Sequence, residues 1–146
     1  MLGLWSLVRF VHVVGAVVWL GGQLTISALV LPAARRRLAV GDRADLMRVV
    51  GMRFGIATVT VLIPLQVATG LALAWHKGVT VAALADPGYG RTLAGKLVAF
   101  ALVMLAVGAH GWANGVGRRT LARALAVASL VGSFGVVLLA TALPVS

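Results

Sequence analysis

Three histidines stand out in a chain whose other residues are mostly apolar. His12, His76 and His110 each lie within, or at the end of, a long run dominated by Val, Leu, Ala and Gly. A polar ring inside an apolar run is costly to bury, so it is a functional hypothesis by default. Imidazole nitrogens can bind a metal ion or hydrogen-bond to a neighbouring helix, and these are the two kinds of chemistry that the sequence offers.

Four apolar runs carry or border these histidines, and each is long enough to cross a bilayer as a helix. The runs cover about residues 4–31, 54–75, 93–112 and 121–143. A helix needs about 20 apolar residues to span the hydrocarbon core, and lipid tolerates only helices or closed barrels. The sequence therefore predicts an all-α fold, an integral membrane four-helix up-down bundle, with residues 1–146 as a single transmembrane domain.

The composition supports this prediction and excludes several other classes. Of the 146 residues, 61% are hydrophobic and 11% are charged, whereas a soluble domain has about 25% charged residues. The net charge of +10 comes from basic residues at the edges of the apolar runs. Because these residues form no stripe with exposed aromatics, we expect the lipid bilayer as partner and no nucleic acid. The chain has no cysteine, which excludes disulfides and thiolate metal sites.

The positive charges also predict a topology. Most of the 13 lysines and arginines lie in or beside the connecting segments 32–53 and 113–120. The positive-inside rule places these two loops in the cytoplasm and both termini outside, in the inner (plasma) membrane of the cell. Within the first loop, residues 45–53 could form a short interfacial helix. Pro64 is expected to kink the second helix.

The first apolar run carries a polar stripe. Its members are Arg9, His12, Gly15, Trp19, Gly22 and Gln23. At about 100° per residue these six residues fall within one side of a helix. The second helix has a polar stripe that ends in His76, and the third has one that contains Lys96, His110 and Asn114. We expect the three stripes to converge on the bundle interior, where membrane proteins place costly polar groups.

This set of residues matches the requirements of a haem b site. Haem needs one or two imidazoles from facing helices, small residues beside the macrocycle, aromatic packing and cations for the propionates. The candidate cofactor-binding residues are His12, His76, His110, Arg9, Gly15, Trp19 and Lys96. His12 is the expected first ligand. His76 is its expected partner because it lies at the same outer side, whereas His110 lies about 10–20 Å deeper by helix rise.

Copper is the alternative cofactor, and the same three histidines would be its metal ligands. Soft Cu(I) prefers thiolate and thioether ligands, and only Met104 lies in mid-span, so the ligand chemistry favours haem b. A third hypothesis is a cofactor-free structural membrane subunit, in which His12 is an interhelical hydrogen-bond partner and His110 forms an inner cluster with Asn114. Small residues on the fourth helix fit a homodimer as well as packing within the bundle.

The acidic residues exclude several kinds of catalysis and transport. Asp42, Asp45 and Asp86 are the only acids, and all three lie in predicted loops. The predicted spans therefore hold no carboxylate pair for hydrolysis and no acid for proton-coupled transport. A haem site would imply electron transfer or haem-linked redox chemistry. Whether the protein is an enzyme stays open, with a membrane oxidoreductase as the fitting activity, and the sequence identifies no redox partner.

Several short motifs resemble, in their order and spacing, the copper resistance protein D domain. They are His12 with Trp19-Leu20-Gly21-Gly22, then Arg53-Phe54, Ala68-Thr69-Gly70, and Tyr89-Gly90-Arg91-Thr92-Leu93 followed by Lys96. The resemblance covers roughly residues 5–120. It implies a polytopic inner-membrane protein linked to copper uptake or tolerance. Larger members of that family have more helices, so this chain would correspond to the four-helix domain alone.

A more distant similarity links the chain to the HemJ-type protoporphyrinogen oxidases. A histidine followed seven residues later by tryptophan and then glycine, with a later Lys and His on one helix, is similar to the pattern of that family. The resemblance implies a haem-binding four-helix membrane bundle with site residues at His12, Trp19, Lys96 and His110. It favours haem as the ligand rather than that enzyme activity.

Overall fold

Four long helices account for most of residues 3–143, which are the residues described by this computed structural model. They are α1 (Leu4–Arg37), α2 (Val40–His76), α3 (Tyr89–Gly115) and α4 (Arg119–Thr141). Each is long and apolar enough to cross a membrane. Because residues 3–143 also contain no strand, the predicted all-α class with four membrane-length helices is confirmed.

The chain divides after Gly78 into two compact units, and each consists of two antiparallel helices. In the first unit, His12 on α1 meets Thr69 on α2, and Gly22 further along α1 meets Phe54. In the second unit, which holds α3 and α4, His110 meets Ala122 while the earlier Val103 meets Gly132. Within each unit the helices therefore run up and down, as short connections require.

The first connection is far shorter than the predicted loop. Helix α1 continues through three arginines to Arg37, and α2 already begins at Val40, so only Leu38 and Ala39 separate them. Arginine is a good helix former, and positive charge is favoured in the last turn of a helix. Asp42 in the first turn of α2 suits the opposite helix end for the same reason. The predicted interfacial helix over residues 45–53 is part of this longer α2.

Both helices of the first unit contain a π-helical segment, a feature that the sequence analysis did not predict. The segments are Thr25–Val30 in α1 and Thr58–Leu62 in α2, and a proline, Pro32 or Pro64, follows two residues after each. Proline removes a backbone donor and crowds the carbonyl of the preceding turn. Where a kink was predicted at Pro64, the helix thus widens just before the proline and then continues as α-helix to His76.

Small residues bring the helices of each unit close together. A Cβ atom at Gly15 would overlap the Gln66 side chain, and one at Gly22 would overlap the Phe54 ring. In the second unit, Gly132 likewise makes room for Val103. Ser129 and Ser133 are buried on the same helix as Gly132. This is the small-residue packing that membrane helices use to approach each other.

The segment before α3 explains one of the sequence motifs. A 3-10 helix, Ala82–Ala85, packs against the start of α3, where Gly90 is needed because a Cβ there would overlap the Ala83 carbonyl. The Arg91 guanidinium donates to the Ala85 carbonyl oxygen at 3.2 Å, and Gly88 takes a positive φ of 84° at the predicted turn. The Tyr89-Gly90-Arg91 motif therefore holds the beginning of α3 in place.

Candidate cofactor-binding site

The His12 ring is held by a hydroxyl group of the facing helix. His12 Nδ1 and Thr69 Oγ1 lie 2.7 Å apart. The single Thr69 hydroxyl proton is donated to the Leu65 carbonyl oxygen at 2.5 Å, so the Thr69 oxygen acts as acceptor toward the ring. Nδ1 of His12 therefore carries the proton, and in the neutral ring the lone pair lies on Nε2.

A second hydrogen bond fixes the main chain of the same residue. The Gln66 side-chain amide donates to the His12 carbonyl oxygen at 2.7 Å. Gly15, which is buried, provides the space that Gln66 occupies. Gly70 lies against the ring itself, because a Cβ there would come within 3.3 Å of His12 Cε1. One face of α2 thus determines both the position and the orientation of His12.

This support was only partly visible in the sequence. Thr69 and Gln66 read as ordinary interhelical hydrogen-bonding residues, and Gly70 as a packing residue. Their spacing of three and four residues places them on one helical face, but nothing in the spacing identifies His12 as the group that they contact. The signal becomes specific only when the antiparallel register is known.

His76 lies at a different level from the one predicted. Its ring stacks on Trp5, with 3.9 Å between ring centroids and 9° between planes. Thr69, not His76, faces His12, and His76 lies seven residues further along α2, which is about 10 Å by helix rise. The prediction that His12 and His76 lie at the same depth is therefore wrong. The two-residue turn after Arg37 sets this register, and counting from the ends of apolar runs could not reveal it.

His110 bridges the two helices of the second unit. Its Nδ1–H donates to the Ala122 carbonyl oxygen at 2.8 Å, and the Asn114 amide donates to its Nε2 at 3.0 Å. Both ring nitrogens thus bond to protein groups, and Ala122 is buried. A metal ion at Nε2 would have to displace the Asn114 amide. The geometry matches the alternative in which His110 and Asn114 form an inner cluster.

The remaining predicted site residues are divided between the units. Trp19 is buried in the first unit, close in sequence to Gly15, whereas Arg9 on the same helix is exposed. Lys96 is half-buried on α3 in the second unit. The first unit therefore contains His12, Gly15 and Trp19 on one helix with the supporting α2 side chains opposite. Within residues 3–143, no three His, Cys, Asp or Glu side chains cluster as a metal-binding group.

No protein-family model matches this chain, and no match was found among curated proteins or solved structures. The resemblances to the copper resistance protein D domain and to HemJ-type proteins therefore remain predictions. What the chain can do has to be argued from its own residues, of which His12 and its supporting contacts are the best defined.

Proposed function

We propose that the protein is an integral membrane haem b-binding protein that takes part in electron transfer or haem-linked redox chemistry. His12 would be the axial ligand through Nε2. The observation that carries this proposal is the hydrogen bond between His12 Nδ1 and Thr69. Histidines that ligate metals almost always donate their second ring N–H to a protein oxygen, which fixes the tautomer and strengthens the ligating nitrogen.

The separation of the histidines favours haem over copper. The porphyrin supplies four nitrogens to its iron, so one imidazole from the protein is sufficient. A copper ion bound by imidazoles needs several of them from the protein. His12 faces Thr69 and His76 stacks on Trp5, about two helical turns away. A cofactor that needs a single protein ligand suits this arrangement better than one that needs a cluster.

The other residues near His12 would complete the haem site. Gly15 and Gly70 let the α2 side chains and the His12 ring approach closely, and buried Trp19 lies seven residues along the same helix. Arg9 lies one turn before His12 and is exposed, so it is the cation proposed to pair with a propionate. Bound haem would supply one-electron chemistry, and the chain would hold it, orient His12 and exclude water.

The proposed location is the inner membrane, with both termini outside and the arginine-rich end of the first unit in the cytoplasm. The six arginines between residues 32 and 53 support this topology through the positive-inside rule. His12 lies near the opposite end of α1 from these arginines. The haem would then lie nearer to the outer leaflet, where an external redox partner could reach it.

A cofactor-free structural subunit is the competing hypothesis, and the His110 geometry favours it for the second unit. There, a histidine joins two helices through protein bonds alone. If His12 has the same role, its bond to Thr69 would serve packing only. The two hypotheses differ in what the purified protein contains.

The test is to express the full chain with added haem precursor and purify it in detergent. We expect one haem b per chain, a Soret band and a reversible one-electron couple. Metal analysis and haem extraction are done on the same preparation. A colourless protein with one or more copper ions per chain would support the copper hypothesis, and a colourless, metal-free protein would support the structural one.

A further inference from the structure

The two helices of the first unit are longer than a membrane requires. Helix α1 has 34 residues and α2 has 37, which correspond to about 51 Å and 55 Å at 1.5 Å per residue. The hydrocarbon core is about 30 Å thick, and the bilayer is about 40–45 Å thick with its headgroups. One end of this helical pair must therefore lie beyond the hydrocarbon.

The end that joins the two helices carries a concentrated positive charge. We call it the arginine tip, and its basic residues are Arg35, Arg36, Arg37, Arg43, Arg48 and Arg53. Only Asp42 and Asp45 oppose them. Arg48 pairs with Asp45 at 3.1 Å, but both side chains are 72% exposed, so this ion pair neutralises little of the tip. Five of the six arginines are exposed, and Arg43 is half-buried.

Exposed apolar side chains lie between these arginines. Val40, Val49 and Met52 are all exposed in the first half of α2, and Leu38 is exposed in the connection. A surface that alternates arginines with apolar side chains is typical of a segment in the headgroup region, where both kinds of group find partners. A partner dissolved in water could bind the arginines but would leave the apolar side chains between them without contacts.

A moderate tilt would place the arginine tip at headgroup level. A helix of about 51 Å tilted by about 30° spans about 44 Å, which matches the bilayer thickness including headgroups, and transmembrane helices tilt by about 0–40°. Clusters of four to eight Lys or Arg next to a membrane helix attract anionic lipids. Arginine also binds phosphate oxygens through two parallel hydrogen bonds.

We propose that the arginine tip binds the phosphate headgroups of anionic phospholipids. The helical pair would then lie tilted, with the tip pulled against the membrane surface instead of standing away from it. The inference does not depend on haem binding, because it rests on helix length, charge and exposure at the end of the unit remote from His12.

The test uses the absence of natural cysteine in the chain. An Ala39→Cys variant of the full protein carries a single NBD fluorophore in the connection, where Ala39 is exposed. The protein is reconstituted in vesicles of phosphatidylcholine alone or with increasing phosphatidylglycerol. We expect phosphatidylglycerol to shift NBD emission to the blue and to lower quenching by neutral acrylamide by about threefold. High salt should reverse part of the effect.

Two triple variants, each of which removes three positive charges, form a matched test and control. Arg35→Gln/Arg36→Gln/Arg37→Gln should restore the quenching seen in phosphatidylcholine. Arg118→Gln/Arg119→Gln/Arg123→Gln removes three charges from the second unit and should leave the response unchanged. Circular dichroism checks that both variants keep their helix content. The phosphatidylglycerol titration of the Ala39→Cys protein is a test in its own right, because it needs no charge variant. Equal quenching at every phosphatidylglycerol fraction would overturn the proposal and leave a soluble acidic partner as the occupant.

Discussion

His12 and His110 are chemically alike and differ in what holds them. Each ring bridges two antiparallel helices and donates its Nδ1 proton to an oxygen of the facing helix. At His110 the second nitrogen accepts a bond from Asn114, one turn away on its own helix. At His12 the supporting bonds are made at Nδ1 and at the main-chain carbonyl, by Thr69 and Gln66. At His110 the protein bonds occupy both ring nitrogens, whereas at His12 they fix the ring and the main chain of the residue.

The difference shows that an intramembrane histidine is better judged by its neighbours than by its own position. A ring whose two nitrogens both bond to protein stabilises the packing of helices. A ring that is oriented by its Nδ1 proton has the support expected of a metal-bound imidazole. The comparison between the two units therefore leads to opposite expectations for equivalent substitutions.

The largest expected effect is loss of the cofactor from the first unit. His12→Ala should abolish the Soret band, because it removes the proposed axial nitrogen. His110→Ala, purified in the same way, should retain the band and one haem per chain. Absorption spectra and extracted haem per chain measure both. A protein that keeps its haem after His12→Ala, or loses it only with His110→Ala, would reverse the assignment of the two histidines.

The second expected effect concerns the Thr69 hydroxyl. Thr69→Val removes the oxygen that accepts the Nδ1 proton while keeping the shape, and it should weaken haem binding about 10- to 100-fold. Thr69→Ser retains the oxygen and should bind nearly as well. Haem titration of the purified protein gives the affinity. Nitrogen NMR of the labelled His12 ring in haem-free protein gives the tautomer, which should become mixed only in the valine variant. Identical tautomers in both variants would contradict the role of Thr69.

A smaller effect on stability is expected in the second unit. His110→Ala removes the bonds to Ala122 and Asn114 and should lower the free energy of unfolding by about 0.6–2 kcal/mol, the range for interhelical polar contacts in membranes. Asn114→Ala should cost less, since the bond to Ala122 remains. Thermal or detergent unfolding measures both. The inner-cluster interpretation would fail if neither variant changed stability.

The smallest effect is expected at His76. His76→Ala removes the stacking on Trp5, which is worth about 0.5–1.5 kcal/mol. Haem content and the position of the Soret band should stay as in the unchanged protein, because His76 lies about two turns from His12. His76→Phe preserves the stacked ring and should recover the stability. A shift of the band in both variants would instead identify His76 as a second axial ligand.

The sequence predicted the number and class of the helices well, because apolar runs of this length leave few other structures in lipid. It predicted their ends poorly at residues 32–53. Hydropathy marks where lipid ends, but the Arg-rich segment continues as helix for reasons of propensity and terminal charge. The predicted loop and the observed helices therefore differ at the membrane boundary and not inside it.

The sequence identified residues of the candidate site but not the side chains that contact them. His12, Gly15 and Trp19 could be singled out, because each departs from ordinary membrane composition. Their supporting residues on α2 depend on the register, which the connection at Leu38 and Ala39 fixes. A shift of one helical turn would have placed different side chains opposite His12. Local patterns of hydropathy contain no information on that choice.

The π-helical segment Thr58–Leu62 has a consequence for the tolerance of this helix to length changes. A π turn contains one residue more than an α turn. The α-helical parts before and after it are therefore oriented as they would be in a regular helix with one residue fewer. A single deletion inside the segment would close it to a regular α turn, with Phe54 still facing Gly22 and Thr69 still facing His12. The same deletion after Pro64 would rotate Gln66 or Thr69 by about 100° and separate them from the ring. The wide turn is thus the place where α2 can lose a residue without losing its site.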